Sequence, residues 1–161
     1  MFWLKILIII VFGIIFWQDG KERLVYWFLY PLLGILGFSI QLFYSDLSLI
    51  FINSAINLFF IITIVLILWV YTKLILKKDL LNKGIGIGDL LLFGFLSFCF
   101  SIISFFILFV FSLIFSLSLF LILKRKKTET ESIPLAGFMS VFFAVVYLLT
   151  FFINCNFIFA Y

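Results

Sequence analysis

LLLFGFLSFCFSIISFFILFVFSLIFSLSLFLIL, residues 90–123, is an unbroken run of 34 uncharged residues, and how it is divided decides the fold. As one helix it would extend roughly 51 Å at 1.5 Å per residue, far more than the ~30 Å of a bilayer's hydrocarbon core. As two crossings, each is short. The flanking charge resolves the choice. Lys73, Lys77, Lys78 and Lys83 precede the run, and Lys124-Arg125-Lys126-Lys127 follows it. A single crossing would put these clusters on opposite sides of the membrane, against the cytoplasmic bias of Lys and Arg. Two short crossings turning near Ser101 to Ser104 put both on one side.

Composition agrees with a membrane setting. Hydrophobic residues make up 67% of the 161, charged residues 11%, and mean hydropathy is +1.42, values outside the range of water-soluble domains. Lipid requires the backbone to satisfy its own hydrogen bonds, so the choice lies between helices and closed barrels. The apolar stretches do not alternate as barrel strands do, which leaves an all-α bundle.

Worked outward from residues 90–123, the remaining spans are Phe2 to about Trp17, Leu24 to Tyr44, Ser48 to about Thr72, and Ile133 to about Phe159. Lys5 interrupts the first near enough to an end to snorkel. No small-residue cleavage site follows that segment, so it is expected to be a retained span. Pro31, Gly34 and Gly37 allow a kink and close helix approach in the second, and Asn53 and Asn57, four apart, suit helix–helix hydrogen bonding in the third. Pro134 fits the first turn of the last helix. Six transmembrane helices result, in one integral-membrane domain over 1–161. Loops at 19–23, 73–89 and 124–132 then share the cytoplasmic side and hold ten of the eleven Lys and Arg residues, and the N- and C-termini lie outside.

There is no histidine, which removes histidine-based nucleophile arrangements and the H-E-x-x-H zinc site. Cys99 and Cys155 form no C-x-x-C pair and read as small apolar packers, so no metal site is expected. The net charge of +4 points to membrane orientation and anionic lipid headgroups, not to nucleic acid. Acid–base chemistry falls to carboxylates, lysines or tyrosines.

Of the seven acidic residues, Asp46 lies on the outer side, and Glu22, Asp79, Glu129 and Glu131 lie among loop cations as ordinary solvated charge. Asp19 ends the first span and Asp89 begins the fourth, so both are expected at one depth on one side. Two carboxylates sharing a site do not both ionise easily; one keeps a proton while the other acts as base, enough to activate water against a peptide carbonyl. Gly84, Gly86 and Gly88 precede Asp89 in alternation and would let an extended peptide approach. The structural alternative is that Asp89 is a helix N-cap and Asp19 an interfacial turn residue.

Gly86-Ile87-Gly88-Asp89 resembles the G-x-G-D motif of membrane-embedded aspartyl proteases. Asp19 followed by a short basic segment, and Ile133-Pro134-Leu135-Ala136-Gly137 before the last helix, are similar to the prepilin peptidase (type IV leader peptidase) branch of that group. The resemblance implies a membrane aspartic endopeptidase that removes the basic leader from type IV pilin-like precursors at the cytoplasmic face of a bacterial inner membrane. Asp19 and Asp89 would be its catalytic pair, with Gly84, Gly86, Gly88 and Pro134 as motif support. Leu91 stands where many members carry a lysine, and Leu24-Val25-Tyr26 where many continue to Ile-Pro. No tetracysteine motif occurs, so the resemblance implies the short form, without N-methylation and without S-adenosylmethionine or another cofactor.

Two other classes compete. A non-enzymatic membrane assembly subunit would use the aspartates as caps. A small ion-coupled transporter would place ionisable groups near the bilayer midplane, where none is assigned.

Overall fold

The computed structural model describes residues 2–21, 24–74, 86–124, 135–152 and 157–160. Among them the only regular structure is helical: α1 (Phe2–Lys21), α2 (Leu29–Gln41), α3 (Leu47–Leu74), α4 (Ile87–Leu96), α5 (Ile102–Lys124), α6 (Leu135–Phe152) and the single turn α7 (Phe157–Ala160). Four of these, α1, α3, α5 and α6, are long and apolar enough to cross a membrane. Their outer faces stay apolar, with Phe59, Ile62, Leu66 and Ile67 exposed on α3, while Asn57, Ser97, Ser101, Ser112, Ser116 and Ser140 are buried. That inside-out arrangement suits a lipid solvent.

The most extensive helix pairing joins α1 to α6. The two run antiparallel: Phe2 meets Phe151, Lys5 Nζ donates to the Thr150 carbonyl at 3.3 Å, and Phe12 stacks on Phe143. Residues 5, 8, 12 and 15 of α1, spaced alternately three and four apart, form its buried stripe. Asp19 is the next position on that stripe. Lys5 therefore does not snorkel as expected; it is 5% exposed, with its ammonium over the rings of Phe151 and Phe159. The stripe turns it inward, and a carbonyl and two ring faces replace its water.

The second expected span is shorter than its apolar stretch. Residues 24–26 are non-helical, and the Tyr26 amide donates to the Gln18 side chain at 3.1 Å, tying this segment to α1. Pro31 falls in the first turn of α2, where a missing N–H leaves no bond unmade. Gly34 and Gly37 do provide close approach, to Phe95 and to Cys99. A Cβ on Gly37 would lie 2.9 Å from the Cys99 Cα. Cys99 is a buried packer as expected; Cys155 lies outside the described residues.

The run at 90–123 is indeed two helices, but the turn comes earlier than expected: α4 ends at Leu96 and α5 begins at Ile102. Ten residues rise roughly 15 Å, so α4 stops well short of a full crossing. Its terminal carbonyls would be costly to leave bare away from water. Asn57 Nδ2 donates to the carbonyls of Ser97 and Phe100 at 3.2 and 3.0 Å, and Gln41 Nε2 donates to that of Phe98 at 3.2 Å. The asparagine of α3 thus holds the elbow between α4 and α5. Past the elbow, α5 doubles back, placing Phe109 against Phe93 and Phe105 against Phe60. The C-terminal ends of α3 and α5 consequently point toward the end of the bundle where α4 begins.

Candidate functional site

Four helix ends converge at that end: the last turn of α1 and the first turns of α2, α4 and α6. The first amides of a helix have no partner within it. In α6 two of them, successive in sequence, bond to carboxylates from elsewhere. The Ala136 amide donates to Asp89 Oδ1 at 2.7 Å, and the Gly137 amide donates to Asp19 Oδ2. Asp19 and Asp89, 70 positions apart in the chain, are thereby held side by side on adjacent peptide units. The positive end of the helix dipole favours both anions.

Asp89 is also fixed from its own helix. It is the third residue of α4, not its N-cap; that position belongs to Gly86, whose amide donates to Asp89 Oδ2 at 3.2 Å. This is the reciprocal half of a capping box, so each Asp89 oxygen accepts one backbone bond. Asp89 precedes the apolar run and belongs to none of the four long helices. Burial pushes its carboxyl up to about 6, and the negative charge of Asp19 adds to this, while the Ala136 and Gly86 amides pull it down.

The glycines differ in what surrounds them. Gly86 has φ −68° and ψ 149°, an extended conformation open to any residue, and a Cβ there would meet nothing closer than Asp89 Oδ2 at 3.4 Å. Gly88 is needed for space: a Cβ on it would lie 2.7 Å from the Tyr30 hydroxyl. Gly137 is needed too, because its Cβ would sit 2.9 Å from Asp19 Oδ2. Gly84 and Pro134 lie outside the described residues. The proline-containing stretch thus reaches the carboxylates through the amides of Ala136 and Gly137.

Tyr30, absent from the sequence-based site, stands at its floor. It lies in the first turn of α2, is 1% exposed, and its hydroxyl sits against the backbone of Gly88, next to Asp89 in the chain. No sequence signal marked it: with the second span expected to begin at Leu24, Tyr30 would lie six residues in, and it comes to the site because α2 starts only at Leu29.

Among the described residues no cluster of three or more His, Cys, Asp or Glu could hold a metal ion. Chemically, the arrangement offers two adjacent carboxylates, each anchored by a backbone amide, with a phenol beside them. Comparison with protein-family models, with curated proteins and with solved structures yields no match.

Proposed function

We propose that this chain is a membrane-embedded aspartic endopeptidase that removes the basic leader from type IV pilin-like precursors at the cytoplasmic face of a bacterial inner membrane. The observation carrying this reading is the seating of Asp19 and Asp89 on the consecutive amides of Ala136 and Gly137. Such seating fixes one oxygen of each carboxylate and sets the two acids as neighbours, the condition for sharing a proton. A water between them loses a proton to the ionised carboxylate as it attacks the scissile carbonyl. The protonated carboxyl gives its proton to the carbonyl oxygen, and on collapse the leaving nitrogen is protonated by the pair.

Depth supports the substrate class. Trp17, Tyr26, Trp27, Trp69 and Tyr71 are all exposed near the end of the bundle that carries the site. Tryptophan and tyrosine gather at the headgroup level, and Lys73 folds over Trp69 at 4.7 Å there. A precursor with an apolar helix in the membrane and a basic leader outside it presents its scissile bond at that level. In this reading α2 and the α4–α5 elbow complete six membrane segments, with the basic loops cytoplasmic and both termini outside.

A non-enzymatic assembly subunit is the second reading, favoured by the same hydrogen bonds, since the aspartates cap α6 from outside it. Asparagine separates the two, because at each position its side-chain oxygen can still accept the α6 amide but cannot carry a proton between atoms; at Asp89 the NH2 forgoes the Gly86 bond, a loss of about 1 kcal/mol. In proteoliposomes with a leader-bearing precursor, Asp19→Asn and Asp89→Asn are each expected to lower cleavage by about 10³-fold or more, with normal accumulation. Cleavage surviving either change would sink the dyad. Loss of accumulation in both would favour the cap.

A further inference from the structure

We propose that Tyr30 is a third catalytic group, its hydroxyl donating a hydrogen bond to the oxygen that develops charge on the scissile carbon. The inference rests on the peptidase reading and adds to it a residue outside the aspartate motifs.

Three observations converge on it. The Tyr30 side chain is fully enclosed, yet its hydroxyl has no hydrogen-bond partner. A buried donor left unmade is costly, and Tyr hydroxyls usually find a partner when buried. Phenylalanine would fill the same volume beside Leu29 and Leu33 without that cost. The chain uses 26 phenylalanines against six tyrosines, so an aromatic here has no need of a hydroxyl for packing. Second, the hydroxyl lies at the site: it sits against the backbone of Gly88, the residue that precedes Asp89. Third, room has been left for it, because Gly88 has no Cβ where one would lie 2.7 Å from the oxygen. A glycine of the G-x-G-D motif therefore makes space for this phenol, a role distinct from admitting the substrate.

The proton accounting assigns Tyr30 a donor's role without net transfer. Water attacks the carbonyl carbon, its proton passing to the ionised carboxylate, while the protonated carboxyl delivers its proton to the carbonyl oxygen. In the resulting gem-diol, and in the charge build-up on either side of it, the phenol donates a hydrogen bond and keeps its proton. The C–N bond then breaks, the nitrogen takes the proton held by one carboxyl while a gem-diol hydroxyl returns its proton to the other, and one water has been consumed with the pair restored. A phenol, protonated at neutral pH, is suited to this because it donates without competing as a base. Donors aimed at a developing oxyanion contribute through the transition state and not through substrate binding.

The test is steady-state cleavage of a leader-bearing precursor by the full chain in proteoliposomes. Tyr30→Phe is expected to lower kcat by about 10²-fold with KM changed less than about threefold. It should also weaken, by a similar factor, binding of a precursor peptide carrying a secondary hydroxyl in place of the scissile carbonyl, while binding of the leaderless product is unchanged. Wild-type turnover in Tyr30→Phe, or a rise in KM alone, overturns the proposal and leaves the aspartate pair standing. If Tyr30→Phe fails to accumulate, 3-fluorotyrosine at position 30 keeps the shape and makes the phenol more acidic. A changed kcat–pH profile then supports the proposal, and an unchanged one overturns it. No aspartate-dependent cleavage by the wild-type protein would remove the peptidase reading and this inference together.

Discussion

Asp89 has a structural duty and, in the proposed peptidase, a chemical one. Its two oxygens accept from Gly86 and Ala136, a duty that takes two acceptor atoms, while burial raises the proton affinity of the same carboxyl. A carboxyl raised to about 6 stays protonated to a higher pH than usual and loses that proton as pH rises through the value, which in the proposed peptidase removes the acid of the pair. Cleavage is therefore expected to fall on the alkaline side of about pH 6, as read from kcat/KM against pH in proteoliposomes. The glycines offer a second check. Gly88→Ala must displace Tyr30 and is expected to slow cleavage by about tenfold or more, while Gly86→Ala meets no such neighbour and should stay within about twofold of wild type. At this scale the two aspartates were legible because charge is rare in the chain. Tyr30 and Gly137 were not, since a tyrosine and a glycine in apolar sequence look like packing until their neighbours are known.

At the scale of elements, the informative feature is the elbow between α4 and α5. Uninterrupted apolar sequence carries no mark of where a helix stops, and the turn came several residues earlier than the serines at 101 and 104 suggested. Its position is set by partners from other helices, Asn57 and Gln41, which supply donors to carbonyls that the chain's own amides do not reach. Asn57→Ala is expected to cost about 1–2 kcal/mol in detergent unfolding, more than Thr63→Ala, whose hydroxyl bonds a carbonyl of its own helix at an exposed position. Gly37→Ala drives a methyl toward the Cys99 backbone, which cannot swing aside, and is expected to cost about 1–3 kcal/mol in the same measurement. The extent of α3 was readable from hydropathy; α1 runs past the expected end at Trp17 to Lys21, and α5 starts where the elbow's partners set it. The start of α2 was not readable, because the segment Leu24-Val25-Tyr26-Trp27-Phe28 is as apolar as the helix it precedes.

For the molecule as a whole, loop charge was the strongest signal, since it placed the ends at residues 73 and 124 together before any contact was known. The helix directions in the structure place those ends alike. With six membrane segments, single cysteines at Asp46 and at Lys21, in a Cys99→Ser, Cys155→Ser background, should react with an impermeant maleimide from opposite faces, Asp46 from outside. Labelling of both from one face would remove that topology. Sequence could not show which faces meet, because a helix apolar all round has no preferred side when lipid is the solvent.

The α1–α6 pair answers that ambiguity in its own way. Lys5 and Asp19 lie fourteen positions apart on one stripe of α1, each bonded to the backbone of α6, at Thr150 and Gly137 respectively. Together they act as index pins at the two ends of a packed apolar seam, adding directional bonds that fix its phase and its register. A single alanine inserted after Gly13 would leave hydropathy untouched but turn one pin about 100° relative to the other. Such a protein would insert and accumulate with Lys5 or Asp19 unseated, so the far end of the membrane helps to aim a carboxylate at the near one.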